Sequence, residues 1–142
     1  MRLDHIGIAV PNLDESEKLI ARLLGRKAYK RETVEKQHVT TSFFRAGADA
    51  GAGEAIGAKL EFVAPEGAEG PIHKYLEKRG PGLHHLAFEV DDIRAEMARL
   101  AADGFQLLSE EPSLGADNKL VCFLHPKSTG GVLVEICQSI KA

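Results

Sequence analysis

Hydrophobic and polar residues alternate with period two in two short segments, each of which has a histidine near its start. From His5 onward in Asp4-His-Ile-Gly-Ile-Ala-Val10, one set of alternate positions is His5, Gly7 and Ala9, and the other is Ile6, Ile8 and Val10. The segment Gly82-Leu-His-His-Leu-Ala-Phe-Glu-Val90 repeats this pattern around His85. Because alternate residues of a strand face opposite sides of a sheet, both segments are predicted to be strands that present a histidine on their less hydrophobic side.

A turn signal and an amphipathic helical pattern follow each of these strands. The first helix is predicted over Asp14–Leu24, with Asp14 and Glu17 spaced as a capping box, and the second over Asp92–Asp103. A glycine follows each predicted helix. The chain is therefore predicted to contain one strand–helix unit twice, and such repeats are typical of architectures with two equivalent halves.

The remainder of each half is predicted to form further strands. These are Tyr29–Thr33, Val39–Arg45 and Ala58–Ala64 in the first half, and Phe105–Glu110, Leu120–Leu124 and Gly131–Cys137 in the second. A Gly/Ala-rich loop is expected over residues 46–57, and a short helix is expected over residues 71–79. The pattern predicts an α+β fold of two βαβββ modules with antiparallel strands, helices on one side of each sheet, and a pseudo-two-fold arrangement around a cleft. We expect a single domain over residues 1–142, with repeats at about 1–65 and 82–142 joined by the short helix.

Length and composition fit one globular domain and exclude several classes of partner. The chain has 142 residues and a formal net charge of −3, with lysine and arginine scattered along it, so we expect no nucleic-acid partner. The two cysteines are too few for a disulfide framework. No stretch has the pattern of a signal peptide or a membrane span, so we expect a cytoplasmic protein with no membrane partner.

Two glutamates, Glu61 and Glu135, lie inside otherwise hydrophobic strands at matching positions of the repeat. A buried carboxylate is unfavourable unless it is paired or coordinated. With His5 and His85, these residues would supply two imidazoles and two carboxylates, which suits an octahedral divalent ion with two positions left open. A single strand histidine is more often an ordinary packed residue, and a strand glutamate can face solvent, but the repetition favours a metal site. His84 has the alternation of the hydrophobic side, so His85 is the predicted ligand.

Three segments resemble a known family. They are Asp4-His-Ile-Gly-Ile-Ala-Val10, Gly82-Leu-His-His-Leu-Ala-Phe88 and Phe123-Leu-His-Pro-Lys-Ser-Thr-Gly-Gly-Val-Leu-Val-Glu135. Together they resemble the methylmalonyl-CoA epimerases, within the vicinal oxygen chelate superfamily that also includes glyoxalase I. The third segment is the more specific, and the resemblance covers nearly the whole chain. It implies the vicinal oxygen chelate fold, in which paired βαβββ modules form a metal-binding cleft.

The resemblance also implies a chemistry. It assigns His5, Glu61, His85 and Glu135 as ligands of a divalent ion, with Co²⁺ favoured and Zn²⁺, Ni²⁺, Mn²⁺ or Fe²⁺ as alternatives. The implied substrate is methylmalonyl-CoA, whose (R) and (S) forms would interconvert by removal and return of the C2 proton through a metal-stabilised enolate. Glu135 is the expected base. Family members are commonly homodimers, which implies the same for this chain.

The substrate-binding and second proton-transfer groups are less fully specified. Some family members have a glutamate where this chain has Thr41. A threonine hydroxyl cannot act as a base at neutral pH without activation, so the second proton must come from a bound water or from a side chain that stays unassigned. Lys127 is the candidate cation for a substrate carboxylate or a coenzyme A phosphate. The backbone N–H groups of Gly115 and Ala116 are candidates for binding the malonyl carboxylate.

Two other functions are compatible with the same residues. A glyoxalase I-like lactoylglutathione lyase uses the same ligand types and also moves a proton next to a carbonyl. A non-catalytic binding module of this fold would hold a small molecule without a metal. Ring-cleaving dioxygenases use three ligands, and Glu61 as a fourth ligand argues against that class.

Overall fold

The computed structural model describes residues 1–47 and 57–140, which form two compact units. The N-terminal unit comprises His5–His84, and the C-terminal unit comprises Met1–Asp4 and the chain from His85 onward. Most of the predicted loop over residues 46–57 lies outside the described residues.

Each unit contains the elements of one βαβββ module. The first module consists of β1 (Arg2–Ala9), α1 (Leu13–Leu24), β2 (Lys30–Val34), β3 (Val39–Arg45) and β4 (Lys59–Pro65), and is followed by α2 (Pro71–Arg79). The second consists of β5 (Gly82–Glu89), α3 (Ile93–Ala102), β6 (Ser113–Gly115), β7 (Lys119–Leu124) and β8 (Val134–Ser139). The predicted βαβββ order is therefore confirmed, and the short helix over residues 71–79 lies where the proline and glycine signals placed it.

The strand order is the same in both modules, and it makes each sheet mixed rather than antiparallel. The order is β2-β3-β4-β1 in the first module and β5-β8-β7-β6 in the second. The first and last strands of each module, β1 with β4 and β5 with β8, pair in parallel. The prediction of antiparallel strands was wrong for these two pairs. The helix after the first strand returns the chain to the end of the sheet where that strand began, and the next three strands then alternate in direction. The last of the three therefore runs parallel to the first strand.

The cores of the two modules lie between the helix and one face of the strands. In the first, α1 covers Phe44 and Phe62, and in the second, Ile93 of α3 packs with Cys122 and Ile136. Helix α2 instead packs against Val39 and Val63, whose side chains lie on the other face of the first sheet. None of the helices in the described part of the chain is long and apolar enough to cross a membrane.

The N-terminus of α1 differs from the prediction of a capping box at Asp14 and Glu17. Asn12 has an extended backbone, and its side chain accepts a hydrogen bond from the Glu15 N–H at 3.1 Å. This makes Asn12 the N-cap. Asp14 and Glu17 lie within the helix and bind Arg31 of β2 instead, at 2.7 Å and 3.0 Å.

The predicted strand over Phe105–Glu110 is also wrong. Only Leu107 in this segment forms a β-bridge, to Leu124, and the strand that completes the module is the three-residue β6. The hydrophobic residues of the segment instead pack on the core, where Phe105 and Leu107 cover the cluster around α3. The hydrophobic residues of this segment are therefore packed on the core, but the segment does not pair continuously with a neighbouring strand.

Candidate metal and substrate site

The N-terminal unit brings His5 and Glu61 together. The two residues lie on the neighbouring parallel strands β1 and β4, and His5 Nε2 is 3.6 Å from Glu61 Oε1. Both are buried, at 5% and 6% exposure. The register places Gly7 beside Glu61, so the strand leaves space between the histidine and the carboxylate. Phe43, which is in register with Glu61 on β3, packs edge-on against the His5 ring.

The C-terminal unit brings His85 and Glu135 together in the same way. These residues lie on the parallel strands β5 and β8, with His85 Nε2 3.7 Å from Glu135 Oε1 and exposures of 6% for both residues. Ala87 is in register with Glu135 and repeats the small residue of the first pair. Phe123, in register with Glu135 on β7, packs edge-on against the His85 ring. The two units thus form their histidine–glutamate pairs with the same register and the same kind of neighbours.

The chemistry and spacing of each pair fit a divalent cation. A nitrogen and an oxygen at 3.6 Å or 3.7 Å are farther apart than in a hydrogen bond. Two ligands that each lie about 2.1 Å from one ion can be at most about 4.2 Å apart, so both pairs meet this limit. His85 and Glu135 also belong to the side chains that the structure places near enough together to hold an ion. A cation beside each pair would balance the charge of its buried carboxylate.

His84 and His85 have different surroundings, as their alternation predicts. The half-buried His84 ring packs edge-on against Tyr75 of α2, with 4.8 Å between ring centroids. The Tyr75 hydroxyl donates a hydrogen bond to the Leu83 carbonyl at 2.6 Å, which fixes the tyrosine beside this strand. His84 is therefore part of the packing of α2, whereas His85 lies beside Glu135.

Thr41 and Glu32 extend the face of the N-terminal sheet that carries Glu61. Thr41 is buried on β3 and in register with Val63 of β4 on one side and Glu32 of β2 on the other. Its hydroxyl donates to the Glu32 backbone carbonyl at 3.4 Å. The Glu32 carboxylate is 3.1 Å from Lys30 Nζ, and its side chain is 30% exposed. A half-buried carboxylate therefore lies one strand away from Thr41.

A free thiol shares the sheet face of Glu135. Cys137 lies two residues farther along β8 and is fully buried. Burial raises the pKa of the Cys137 thiol well above its usual range, and the charges of Asp4 and Glu135 raise it further. The thiol therefore stays protonated at neutral pH and does not provide a thiolate ligand.

A buried ionic cluster lies on the same face of the C-terminal sheet, farther along β8. Lys119 Nζ donates to Asp4 at 3.2 Å, to Glu89 at 3.0 Å and to Ser139 at 3.2 Å. Arg2 also binds Glu89, at 2.9 Å. This cluster was not predicted from the sequence, although Lys119 has the same alternation as Val121 and Phe123 in an otherwise hydrophobic strand. That inward-facing charge was the signal that could have revealed it.

The predicted substrate-binding residues lie at opposite ends of β7. Gly115 and Ala116 come just before it, and Gly115 is in register with Lys119. Exposed Lys127 follows it, and its N–H donates to His125 Nδ1 at 3.0 Å. Phe123, beside Glu135, is four residues from Lys119, which is about 13 Å of strand. Lys127 is therefore at the Glu135 end of β7, and the Gly115–Ala116 turn is at the other.

Comparisons with known proteins identify relatives over almost the entire chain. Residues 4–123 match the model of the Glyoxalase/Bleomycin resistance protein/Dioxygenase superfamily. The ethylmalonyl-CoA/methylmalonyl-CoA epimerase of Cereibacter sphaeroides is 37% identical, with 96% of this chain and 97% of that protein covered. The human mitochondrial methylmalonyl-CoA epimerase is 36% identical, with 97% of this chain and 74% of that protein covered.

The structure of this chain also resembles solved structures of methylmalonyl-CoA epimerases. A variant of the Streptomyces coelicolor methylmalonyl-CoA epimerase, in complex with 2-nitronate-propionyl-CoA, superimposes with a TM-score of 0.90. Its sequence identity is 30%, and 99% of each chain is covered. The fold is therefore the glyoxalase, or vicinal oxygen chelate, fold that the sequence predicts. The chain belongs to the methylmalonyl-CoA epimerase family of the Glyoxalase/Bleomycin resistance protein/Dioxygenase superfamily.

Proposed function

We propose that this chain is a metal-dependent epimerase that interconverts (R)- and (S)-methylmalonyl-CoA. The observation that carries the proposal is the buried histidine–glutamate pair that each unit builds with the same register, in a chain from a family of epimerases. Two pairs of this kind provide four ligand side chains. The reaction consists of removing the proton from C2 of the malonyl group and returning a proton to the opposite face.

The proposed ligands of the divalent ion are His5, Glu61, His85 and Glu135. Two imidazoles and two carboxylates suit Co²⁺, which we favour, and also Zn²⁺, Ni²⁺, Mn²⁺ or Fe²⁺. When bound, such an ion supplies positive charge that stabilises the negative charge developing on the thioester oxygen. The protein's own contribution is to keep the four ligands buried, and the edge-on rings of Phe43 and Phe123 support this by excluding water from the two histidines.

Glu135 is the proposed base for one face of C2. Its burial beside Phe123 and Ile136 places a carboxylate in surroundings with little water. A carboxylate is least solvated there and hence most able to take a proton from carbon. Glu135 would thus have two roles, as a ligand and as a proton-transfer group.

Lys127, Gly115 and Ala116 are the proposed substrate-binding residues. The exposed ammonium of Lys127 follows β7 at the Glu135 end, where it would pair with the substrate carboxylate or a coenzyme A phosphate. The Gly115–Ala116 turn lies at the other end of β7, so it would donate backbone N–H groups to the malonyl carboxylate in the case where Lys127 pairs with a coenzyme A phosphate. A side chain at Gly115 would meet Val121 Cγ1 at 2.9 Å, so the turn needs glycine to lie this close to β7. We also propose that the enzyme is a cytoplasmic homodimer that acts in propionate metabolism.

Exchange of the C2 proton with solvent tests the proposal. Racemic methylmalonyl-CoA is incubated in D₂O with metal-loaded protein and with protein stripped by a chelator, and the C2 proton is followed by NMR. We expect its signal to disappear only with the metal-loaded protein. If the signal persists although the protein has bound a divalent ion, the epimerase proposal is wrong, and the hemithioacetal of glutathione becomes the next substrate to test.

A further inference from the structure

We infer that His125 determines specificity for malonyl thioesters by donating a hydrogen bond from its Nε2 to the substrate carboxylate. This inference rests on the proposed epimerase function and names the group of the substrate that the C-terminal unit recognises. His125 would contact the substrate but would take no part in moving the C2 proton. It belongs neither to the proposed ligands nor to the proposed substrate-binding residues.

The hydrogen bonds of the His125 imidazole determine which of its nitrogens carries the proton. Nδ1 accepts from the Lys127 backbone N–H at 3.0 Å, at the start of a short 3₁₀ helix over Pro126–Ser128. A ring nitrogen that accepts has no hydrogen, so the neutral ring carries its proton on Nε2 and is a donor there. Within the described residues 1–47 and 57–140, no group accepts from Nε2. The ring therefore presents a donor that a ligand can use.

The backbone of His125 is fixed as well as its ring. Its N–H donates to the Gln106 carbonyl at 2.8 Å. Its carbonyl accepts from the Ser128 N–H and from the Ser128 hydroxyl, both at 2.9 Å. A donor that is already held in place loses little conformational freedom when a ligand binds, so more of the hydrogen bond contributes to affinity.

His125 lies on the sheet face that carries the histidine–glutamate pair of the C-terminal unit. Phe123 is in register with Glu135 on this face, and Leu124 packs in the core on the α3 side. The backbone is still extended at His125. Because successive residues of an extended chain point to opposite faces, His125 returns to the face of Phe123 and Glu135.

The register of the three strands also gives the distance of His125 from the pair. One step beyond the last pair of β7 and β8, His125 is opposite Leu133. The parallel register of β5 with β8 places His85 on the other side of Leu133, so about two strand spacings of 4.8 Å separate the backbones of the two histidines. Glu135 is the diagonal neighbour of His125, and the backbones of such neighbours are about 7–8 Å apart. A small ligand group between the two side chains can contact both.

The substrate group that fits this position is the malonyl carboxylate. Its carbon is bonded to C2, and a base that takes the C2 proton approaches C2 to about 3–3.5 Å. The carboxylate would therefore lie close to Glu135, whereas the phosphates of coenzyme A are separated from the thioester by the pantetheine arm. Lys127 lies at the same end of β7 as His125, so its ammonium would pair with the same carboxylate, which is the first of the two alternatives proposed for that lysine.

Calorimetric titration of the Co²⁺-loaded protein with malonyl-CoA and with acetyl-CoA tests the inference, because these two thioesters differ only in the carboxylate. His125→Asn removes the Nε2 donor but keeps a side-chain oxygen that can accept from a backbone N–H at a helix start. We expect it to weaken malonyl-CoA binding by about 10–100-fold, as for other hydrogen bonds to charged groups, and to leave acetyl-CoA binding unchanged. His125→Gln, whose amide nitrogen can take the place of Nε2, should restore most of the malonyl-CoA affinity.

The matched control is His38→Asn, which makes the same change at an exposed histidine of the N-terminal unit. The left-handed backbone of His38, with φ 55°, suits asparagine, and we expect this variant to bind both thioesters as the unmodified protein does. Equal malonyl-CoA affinity in His125→Asn and His38→Asn would overturn the role of His125. An equal loss for both thioesters in His125→Asn would also overturn it, because His125 would then act on the coenzyme A part or on folding. An unmodified protein that binds neither thioester would instead refute the proposed function, which is a separate outcome.

Discussion

At the scale of single residues, the candidate metal site depends on which of two adjacent histidines faces Glu135. His85 Nε2 lies 3.7 Å from Glu135, whereas the His84 ring packs against Tyr75. We predict that His85→Ala weakens metal binding by about 10²-fold, since a ligand contributes at least as much as the outer residues that support it. His84→Ala is the matched control, because it removes the same side chain one position away. Calorimetric titration of the stripped proteins with Co²⁺ measures both, and equal affinities would contradict the ligand assignment.

A second prediction concerns a buried hydroxyl without a hydrogen bond. Ser42 is fully buried on the α1 side of β3, and its Oγ is the buried side-chain polar atom that lacks a partner among the described residues. Burying an unpaired hydroxyl is unfavourable by about 1–3 kcal/mol. Ser42→Ala is therefore expected to raise the free energy of unfolding by about 1 kcal/mol.

Urea denaturation measures this change, and Ser128→Ala is the control. The Ser128 hydroxyl donates to the His125 carbonyl and accepts from the Gln106 N–H. Removal of the Ser128 hydroxyl should lower the free energy of unfolding by about 1 kcal/mol, whereas Ser42→Ala is expected to raise it. A loss of stability in Ser42→Ala would show that its hydroxyl has a partner in solution.

At the scale of secondary-structure elements, the ionic cluster around Lys119 joins β7 to β5, β8 and the first residues of β1, all within the C-terminal unit. Its amine on β7 contacts Asp4 of β1, Glu89 of β5 and Ser139 of β8. Removing one partner of a buried ion pair leaves the other charge without compensation and destabilises by about 3–5 kcal/mol. We expect Lys119→Met to lower the free energy of unfolding by about this amount. Urea denaturation tests it, and Lys119→Arg should restore part of the loss, whereas an unchanged midpoint in Lys119→Met would contradict the prediction.

A second ionic contact joins β2 to α1 and gives a pH-dependent prediction. Arg31 lowers the pKa of Asp14 from its ordinary value of 3.8, first by hydrogen bonding and then by its charge. Because the pKa is lower in the folded state, this contact stabilises the protein above pH 3.8 and the contribution is lost as the pH falls through the folded-state pKa. We predict that Arg31→Met unfolds more easily than the unmodified protein at pH 7 and that the difference narrows below about pH 4. Denaturation at both pH values measures it, and a difference that grows towards low pH would contradict the assignment.

The elements also show what the sequence could and could not predict. Helix α2 was predicted with its observed bounds because Pro71 and Gly80 act locally. The parallel pairing of β1 with β4 could not be read from alternation, because pairing is a contact between residues far apart in sequence. The three residues of β6 are too few to show a period, so the longer hydrophobic run before them was mistaken for the strand. The residues of the histidine–glutamate pairs were predicted because each glutamate is a charged residue in a hydrophobic strand. The contacts of Phe43 and Phe123 with the histidine rings were not predicted, because a phenylalanine in a strand is typical of any hydrophobic core.

At the scale of the whole molecule, the proposed ion takes two ligands from each unit, and this gives a prediction about stability. A ligand that binds only the folded state at 100 times its Kd stabilises it by about 2.7 kcal/mol. For a chain of 142 residues we expect Co²⁺ to raise Tm by roughly 5–10 °C. His5 and Glu61 belong to one unit and His85 and Glu135 to the other.

If one ion uses both pairs, replacing either pair removes the entire increase in Tm. The variants are His5→Ala with Glu61→Gln, and His85→Ala with Glu135→Gln. The measurement is thermal unfolding of each, with and without Co²⁺, together with the number of ions bound per chain. One ion per chain and no increase in Tm in either variant would support a single shared site. If each variant kept about half of the increase and bound one of two ions, the two pairs would be independent sites, because separate sites contribute additively to the stability of the folded state.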